Sequence, residues 1–405
     1  IIAFFFIAIS KDGINFVAEI ISMFFILTYG AICSISFLEH FAADPSYRPT
    51  FRSRWYFSLL GAILSIWVMF QMNMPYAAAS IVIMSIIYLI ISSSNKERRG
   101  LGKLFRGVIF QLSRSLQIFA QRADKEDTEK NWRPFVICVS KDSFKRRSAF
   151  DLLRWLSFKY GFGTYIHYIQ GRLTSETLNE SSRALERLIH LAAGSRNRVY
   201  LDTIISPSYT SAIAQVVQLS GISGKGNNMI LFEFSRSDPG TFKNVLNDYS
   251  LLESTGFDIC VLNTSYKGFG YKNEIHIWIS PDDYENANLM ILLAYIILGH
   301  PEWKKGMIKI FAIYPEDEIE SRKLELLNMI KSGRLPISPN NVELMTSLGK
   351  GIDHNLISVN SADADLTIMG FQNEDIQGEK TTIFTDYKDV GNILFVNSNK
   401  KKEIK

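Results

Sequence analysis

The sequence predicts an α-helical membrane segment followed by an α/β domain of two similar lobes. Three observations support this prediction. The stretch from Ile1 to Ile91 consists mainly of long apolar runs, and Lys and Arg cluster where those runs end. From Arg133 onward, short apolar strands alternate with amphipathic helices. That alternation is typical of a parallel sheet covered by helices.

The apolar runs are long enough to be membrane spans. Ile14–Leu38 would form about 37 Å of helix, and a hydrocarbon core is about 30 Å thick. Two further runs, Phe57–Phe70 and Met74–Ile91, meet at Asn73 and Pro75. As one helix they would be too long for a bilayer. Proline lacks an amide N–H and disfavours helix in the residue before it, so we predict two short spans in a hairpin.

The start of the chain predicts that more protein precedes it. The chain begins with Ile inside an apolar run, and it lacks the basic start and cleavage site of a signal peptide. We therefore expect residues 1–9 to be the end of an earlier span, and the chain to be the C-terminal portion of a longer membrane protein.

The distribution of basic residues predicts the orientation. They flank the spans on one side at Arg48, Arg52, Arg54, Lys96, Arg98, Arg99, Lys103 and Arg106. The other side has only Lys11 and the uncharged turn at 71–75. By the positive-inside rule, the 39–56 loop and everything after Ile91 are cytoplasmic. The net charge of +4 then reflects these flanks, and no nucleic-acid partner is expected.

Polar and small side chains form a stripe on the first full span. They follow helical spacings of three, four or seven and are Asn15, Glu19, Ser22, Tyr29, Cys33 and Ser36. Such a stripe does not face lipid, and Glu19 should point to protein or water. Two interpretations stay open here. The stripe is either a seam between helices or the lining of a solute path, in which the Tyr29 hydroxyl donates a hydrogen bond to a buried anion.

The segment 95–131 reads as an amphipathic connector. Its apolar side chains alternate at helical spacing with Lys, Arg, Gln and Ser. It is either a packing helix at the protein surface or a helix in contact with lipid headgroups. The predicted organisation is a transmembrane segment over 1–94, this connector over 95–131, a first α/β lobe over 132–240 and a second over 241–405.

Strands and helices of the α/β half are predicted from their apolar patterns. The predicted strands are Pro134–Ser140, Thr164–Ile169, Arg198–Ile204, Met229–Phe234, Phe257–Asn263, Glu274–Ser280, Met307–Tyr314, Asp365–Gly370 and Asn392–Asn397. The predicted helices are Phe144–Tyr160, Ser175–Ala193, Ser208–Leu219, Asn286–Leu298 and Glu316–Ser332. Ser175 is the predicted N-cap of its helix.

No catalytic site, metal site or cofactor is predicted. The glycine-rich segment Gly221–Gly226 lacks the Walker spacing and the Ser/Thr after its lysine. His167 and His276 lie in strands, and Asp282–Asp283 reads as an acidic turn or a helix N-terminus. The cysteines Cys33, Cys138 and Cys260 are far apart without CxxC, and so predict reduced thiols and no disulfide framework. We therefore predict that the protein is not an enzyme.

The segment Ala362–Gly370 resembles a strand of the universal stress proteins. In their ATP-binding members that strand runs into a glycine-rich phosphate loop. Here it runs into the acidic sequence Phe371–Asp375, which has no glycine and would repel a triphosphate. The resemblance implies the fold of both lobes but not the bound nucleotide.

Two further motifs resemble the cation–chloride cotransporters, a family of the amino acid–polyamine–cation superfamily. They are the loop Ala43–Phe51 (ADPSYRPTF) and the entry Lys130–Pro134 (KNWRP) into the α/β domain. The resemblance implies the end of a twelve-span, inverted-repeat transporter, with residues 1–9 ending span nine and with spans ten to twelve following. It also implies a multi-pass protein of the lipid bilayer whose cytoplasmic domain is regulatory and forms a homodimer.

The same resemblance implies a role for Tyr29, which matches a tyrosine on span ten that helps to coordinate chloride. Glu19 stands where we expect a proline or small residue. The implied substrates are chloride and the monovalent cations sodium or potassium, whose cation sites lie on earlier spans. Two alternatives remain: an amino acid permease of the same superfamily, and a membrane-anchored domain that senses nucleotides.

Overall fold

The chain divides into two compact units, residues 1–123 and residues 124–405. The computed structural model describes residues 13–42, 54–94, 100–122, 132–193, 198–219, 226–236, 251–333, 335–347, 350–377 and 384–403 without 388, and the single residues 221, 238, 242 and 249. The first unit contains helices and the second contains the sheet. The predicted fold class, an apolar helical segment followed by an α/β domain, is confirmed.

The first unit consists of four helices within these described ranges. They are α1 (Gly13–Ala42), α2 (Trp55–Met72), α3 (Met74–Ser94) and α4 (Gly100–Arg122). Three stretches of the described residues are long and apolar enough to cross a membrane, namely Ala18–Ala42, Trp55–Met72 and Met74–Ile91. Asn73 separates α2 from α3 with an extended backbone, so the predicted break is confirmed. The predicted span end at 1–9 lies outside the described residues.

Small residues bring α1 and α2 into close antiparallel contact. A Cβ atom on Gly30 would lie 3.0 Å from the Cβ of Ser65, and one on Gly61 would lie 3.0 Å from the Sγ of Cys33. Further along the pair, the hydroxyl oxygens of Ser36 and Ser58 are 3.1 Å apart. Lipid tails are as apolar as the side chains of a span, so no hydrophobic driving force brings two spans together. Close backbone approach and interhelical hydrogen bonds stabilise such a pair instead.

The second unit contains one continuous sheet of ten strands among the described residues. In chain order the strands are β1 (Phe135–Ser140), β2 (Phe162–Gln170), β3 (Val199–Ser206), β4 (Met229–Ser235), β5 (Asp258–Thr264), β6 (Glu274–Ile279), β7 (Met307–Tyr314), β8 (Val342–Thr346), β9 (Leu366–Gly370) and β10 (Asn392–Asn397). Their order across the sheet is β3-β2-β1-β4-β5-β10-β9-β6-β7-β8. Each half has the same order when it is followed from its outer edge to the middle of the sheet: β3-β2-β1-β4-β5 in the first half and β8-β7-β6-β9-β10 in the second.

Each half of the sheet is parallel, and the two halves meet at one antiparallel pair. Strand β5 runs parallel to β4 and antiparallel to β10, with Val261 opposite Phe395. The two predicted lobes thus share a single sheet, which is mixed rather than wholly parallel. The division of the lobes after residue 240 stays a prediction, and the strand order places β5 beside the first-lobe strand β4.

Helices cover both faces of the sheet. Those not yet named are α5 (Ser148–Ser157), α6 (Ser175–Ala193), α7 (Tyr209–Gln218), α8 (Asn286–Leu298), α9 (Ile319–Ser332), α10 (Lys350–Asn360) and the short α11 (Asn373–Gln377). Helix α5 is shorter than the predicted Phe144–Tyr160, and Asp142 pairs with Arg146 in the loop before it. The predicted N-cap Ser175 is wrong: the helix begins there, and Thr174 Oγ1 accepts from the N–H of Thr177 at 3.3 Å.

Aromatic and charged side chains connect the two lobes on one face of the sheet. The rings of Trp155 on α5 and Trp303 pack edge to face with centroids 5.3 Å apart. Beside them, the Glu302 carboxylate lies 2.5 Å from the guanidinium of Arg154 and 2.6 Å from the ammonium of Lys272. Burial raises the pKa of Glu302, but hydrogen bonds and charge from Arg154 and Lys272 outweigh burial and lower that pKa to about 2.

We expect Ser36→Cys with Ser58→Cys, in a Cys33→Ala background, to form a disulfide within one chain under mild oxidation. The two hydroxyl oxygens are in contact, so the replacing sulfur atoms lie within bridging reach. Mass spectrometry of the linked peptides would detect the bond. The matched control is Ile35→Cys with Ser58→Cys, because Ile35 is exposed on the other side of α1. Equal linking of both pairs would contradict the antiparallel seam.

We expect Glu302→Gln to lower the free energy of unfolding of the second unit by about 2 kcal/mol. The change removes the countercharge of the buried Arg154, and the cost is reduced because Glu302 is itself partly exposed. Urea unfolding of the purified chain, followed by tryptophan fluorescence, measures this loss. The control Glu318→Gln breaks a more exposed pair with Arg322 and should cost about 0.5 kcal/mol or less.

The same substitution has a pH signature. Because the pKa of folded Glu302 is about 2 and that of an unfolded glutamate is about 4.3, the unfolded chain binds more protons between these values. The stabilisation is therefore present above about pH 4.3 and is lost as the pH falls towards 2. The difference in stability between the native chain and Glu302→Gln should shrink over that window. A difference that stays constant with pH would contradict the ion pair.

Candidate functional site

The predicted polar stripe on α1 divides between two environments. Cys33 faces Gly61 of α2, and Ser36 contacts Ser58, so these two side chains form part of the seam between helices. Ser22 is partly buried, and the side chain of Asn15 lies outside the described residues. The interpretation of the stripe as a helix seam therefore holds for its Cys33–Ser36 end.

Glu19 is directed to the break between α2 and α3. One of its carboxylate oxygens accepts a hydrogen bond of 3.5 Å from the side-chain amide of Asn73. Below this contact, Met23, Met69 and Ala77 are fully buried against one another, one from each of α1, α2 and α3. A carboxylate within a span needs a polar partner, and in this unit the residue that ends α2 supplies one.

Tyr29 lies outside the seam. Its side chain is 63% exposed, whereas the neighbouring Gly30 is buried against α2. The phenol hydroxyl therefore lies on a side of α1 that the described helices leave open. This position is available to a further part of the membrane segment or to an anion, and the role of Tyr29 as a chloride ligand stays a prediction.

The segment that resembles a universal stress strand ends at a cavity of about 330 Å³. The cavity lies where β6 and β9 end, which is where ligands bind in open α/β sheets. Four carboxylates line it, from Asp282, Asp283, Asp353 and Asp375. Burial raises the pKa of Asp283, although Ser280 and Asn286 donate hydrogen bonds to it. The lining disfavours a triphosphate, which agrees with the acidic sequence after Gly370.

A second cavity, of about 480 Å³, lies beside α5 and α6 and is lined by residues of both lobes. Its polar lining combines Arg147, Arg154, Tyr165, His300 and Glu302. The guanidinium of Arg154 is occupied by Asp151 at 3.0 Å and by Glu302. Only the exposed Arg147 offers an uncommitted positive charge among these side chains. Sequence reasoning missed this group because its members come from distant parts of the chain and carry no local motif.

Two buried histidines, His167 and His276, are hydrogen-bonded within the fold, whereas the buried Nε2 of His300 has no hydrogen-bond partner among the described residues. His167 Nδ1 lies 2.9 Å from Ser143 Oγ, and His276 contacts Ser361 at 3.0 Å and Glu274 at 2.9 Å. Burial lowers the pKa of both rings. Across the described ranges, no group of three or more His, Cys, Asp or Glu side chains is placed to hold a metal ion. Most of the glycine-rich segment 221–226 lies outside those ranges.

The predicted acidic turn at 282–283 caps a helical turn. Asp283 accepts hydrogen bonds from the N–H and hydroxyl of Ser280, and Ser280 caps the 3₁₀ turn Pro281–Asp283 in return. The carboxylate thus satisfies backbone donors just before α8, which is the structural role that the sequence indicated as one of two.

Comparison with known proteins shows what this chain is similar to. No family model matches the chain. Potassium/chloride cotransporter 3 of Caenorhabditis elegans is 25% identical over 330 residues, which cover 77% of this chain and 30% of that protein. Cation-chloride cotransporters 2 and 1 of Oryza sativa are 23% and 24% identical, covering 80% and 75% of this chain and 34% and 32% of those proteins.

Among solved structures, similarity extends to the cytoplasmic domain of a prokaryotic cation chloride cotransporter. That likeness covers 67% of this chain and 98% of that domain at 14% identity, with a TM-score of 0.45. The chain spans about a third of the length of the curated relatives it matches. The sequence comparisons confirm the resemblance that the loop and entry motifs predict: over 75–80% of its length, this chain is similar to cation–chloride cotransporters.

Proposed function

We propose that this chain is the C-terminal portion of a secondary active transporter that moves chloride together with sodium or potassium. The observation that carries the proposal is the similarity to cation–chloride cotransporters over 75–80% of the chain. That similarity is longer than either unit alone, so it includes residues from both units. Three apolar helices of membrane-spanning length are consistent with a carrier embedded in the bilayer.

The α/β domain is proposed to be cytoplasmic, regulatory and dimerising. The cytoplasmic location is supported by the basic residues that flank the spans on one side, at the loop before α2 and in the segment after α3. The regulatory and dimerising roles rest on the resemblance to the cation–chloride cotransporters. Transport by such a carrier uses the ion gradients themselves.

The test is rubidium uptake into vesicles that contain the full protein carrying this chain. Rubidium substitutes for potassium, and external chloride is either present or replaced by gluconate. We expect uptake that requires chloride. Uptake that is equal in both media would contradict the coupling. If uptake is absent in both media, amino acid uptake into the same vesicles tests the permease alternative.

The nucleotide-sensing alternative makes a different prediction. It requires the purified protein to bind ATP while the reconstituted protein moves no ions. Calorimetric titration with ATP, carried out beside the uptake assay, separates the two. Four carboxylates line the cavity where β6 and β9 end. They disfavour a bound triphosphate and so favour the transporter proposal.

We expect Tyr29→Phe in the full protein to weaken the dependence of uptake on chloride. The substitution removes one hydroxyl donor to a charged acceptor, which is worth about 1.5–3 kcal/mol, or about tenfold to a hundredfold in the chloride concentration for half-maximal uptake. Tyr88→Phe is the matched control, because Tyr88 is an exposed tyrosine on α3. An unchanged chloride dependence in Tyr29→Phe would remove Tyr29 from the proposed site.

A further inference from the structure

Helix α4 carries an apolar stripe that none of the described helices covers. Its members follow the spacing four, three, four, three and are Phe105, Ile109, Leu112, Leu116 and Phe119. Their side chains are between 48% and 71% exposed. Five large apolar side chains along one line of a helix form a continuous patch, and such patches mark interaction sites. Phe110, outside the stripe, is exposed as well.

The charges of α4 all have the same sign. The helix contains Lys103, Arg106, Arg114 and Arg122 and no Asp or Glu. The three arginine side chains are exposed, and none lies on the apolar stripe. A strongly cationic face beside a large apolar face is the pattern of helices that lie in the interface of a membrane, where the cations attract anionic lipids.

The position of α4 in the first unit brings it to the end of a span. A Cβ atom on Gly107 would lie 2.7 Å from the Cβ of Ala42, and the Gln111 side chain donates to the Ala42 carbonyl at 3.4 Å. Ala42 is the last residue of α1 and of the span Ala18–Ala42. Helix α4 therefore crosses α1 where that helix leaves the hydrocarbon. At 3.6 residues per turn, Gly107 and Gln111 lie roughly opposite the stripe.

The spacing of the stripe also suits a two-stranded coiled coil, so a second copy of α4 is the competing occupant. In that arrangement the flanking positions that pair helices by charge are Arg106, Val108, Ser113, Ser115, Ala120 and Arg122. None is acidic, so two copies gain no ion pair across the seam. Each copy would instead place two positive charges, Arg106 and Arg122, beside the seam. Charge complementarity favours a lipid surface with negative headgroups.

From these observations we infer that α4 lies on an anionic bilayer surface, with the Phe105–Phe119 stripe in the acyl boundary and its arginines at lipid phosphates. This contact would hold the start of the segment that leads to the α/β domain at the membrane surface. It depends on the bilayer location of α1 and not on which ions the protein moves.

Hydrogen exchange of the full chain in lipid nanodiscs tests this inference. We expect the amides of 100–122 to exchange about tenfold more slowly in phosphatidylcholine discs with about a third phosphatidylserine than in phosphatidylcholine alone. This comparison uses the unaltered chain, so no variant has to fold. Equal exchange in the two bilayers would overturn the inference.

One variant and its matched control test whether the protection depends on the charges of α4, and the number of protein copies per disc tests self-association. Replacing Arg106, Arg114 and Arg122 by Gln should abolish the difference between the two lipids. The matched control replaces three exposed cations of the second unit, Arg172, Arg183 and Lys331, and should retain the difference. If the protection of these amides depends on the number of protein copies per disc and not on the lipid, the stripe binds a second copy and the lipid assignment is overturned.

Discussion

The antiparallel pairing of β5 with β10 is the constraint on which the α/β unit depends. Every residue of β5 is buried, and five of the six residues of β10 are buried too. If either lobe folded alone, one of these strands would be an edge with unpaired N–H and C=O groups, and each strand has an apolar centre, Ile259–Leu262 in β5 and Ile393–Val396 in β10. Unpaired buried backbone groups are costly, and exposed apolar edges pair with other chains. Joining the two lobes satisfies both strands at once.

Because the lobes share a sheet, the side chains on its faces have to pack against one another across the junction. Helix α8 is apolar over most of its 13 residues, and eight of them are buried. It is too short to cross a membrane and instead fills the face where the lobes meet, reaching Tyr160 of the first lobe through the Tyr295 hydroxyl at 3.3 Å. Trp155, Trp303 and the Arg154–Glu302 pair lie on the same side. The junction is therefore packed, charged and hydrogen-bonded, so the two lobes form one folding unit.

The sequence predicts the regular elements well where a single physical signal decides them. The helix Asn286–Leu298 and the strands Met307–Tyr314 and Asn392–Asn397 have the predicted bounds, because each is a dense apolar run between polar or turn residues. Strand β8 and helix α10 were missed. The first is a short edge strand with one fully buried residue, and the second has a weak apolar face. The direction of β10 was not predictable, since strand direction is decided by the partner and not by the strand.

The candidate site shows the same limit. Periodicity places Glu19, Tyr29 and Cys33 near one another on α1, but it does not say which neighbour each one meets. In the structure, Cys33 contacts Gly61 of α2, and Glu19 accepts a hydrogen bond from Asn73, which the sequence indicated only as part of a turn. Both partners are far away in sequence. Spacing places Tyr29 on the stripe and the family resemblance implies its role, whereas its exposure could be obtained only from coordinates.

The break at Asn73 is more than a reversal of the chain. Its N–H donates to the Met69 carbonyl and its own carbonyl accepts from Ala77, so the backbone passes from one helix to the next with these groups paired. This pairing leaves fewer backbone groups at the two helix ends that need water or another partner. The Asn73 amide then remains free to donate to Glu19. A polar residue that ends α2 thus also fixes α1 against the hairpin, and Met23, Met69 and Ala77 can pack beside it. Replacing Asn73 by an apolar residue would leave the Glu19 carboxylate without its partner, so the two residues that look least suited to a membrane depend on each other.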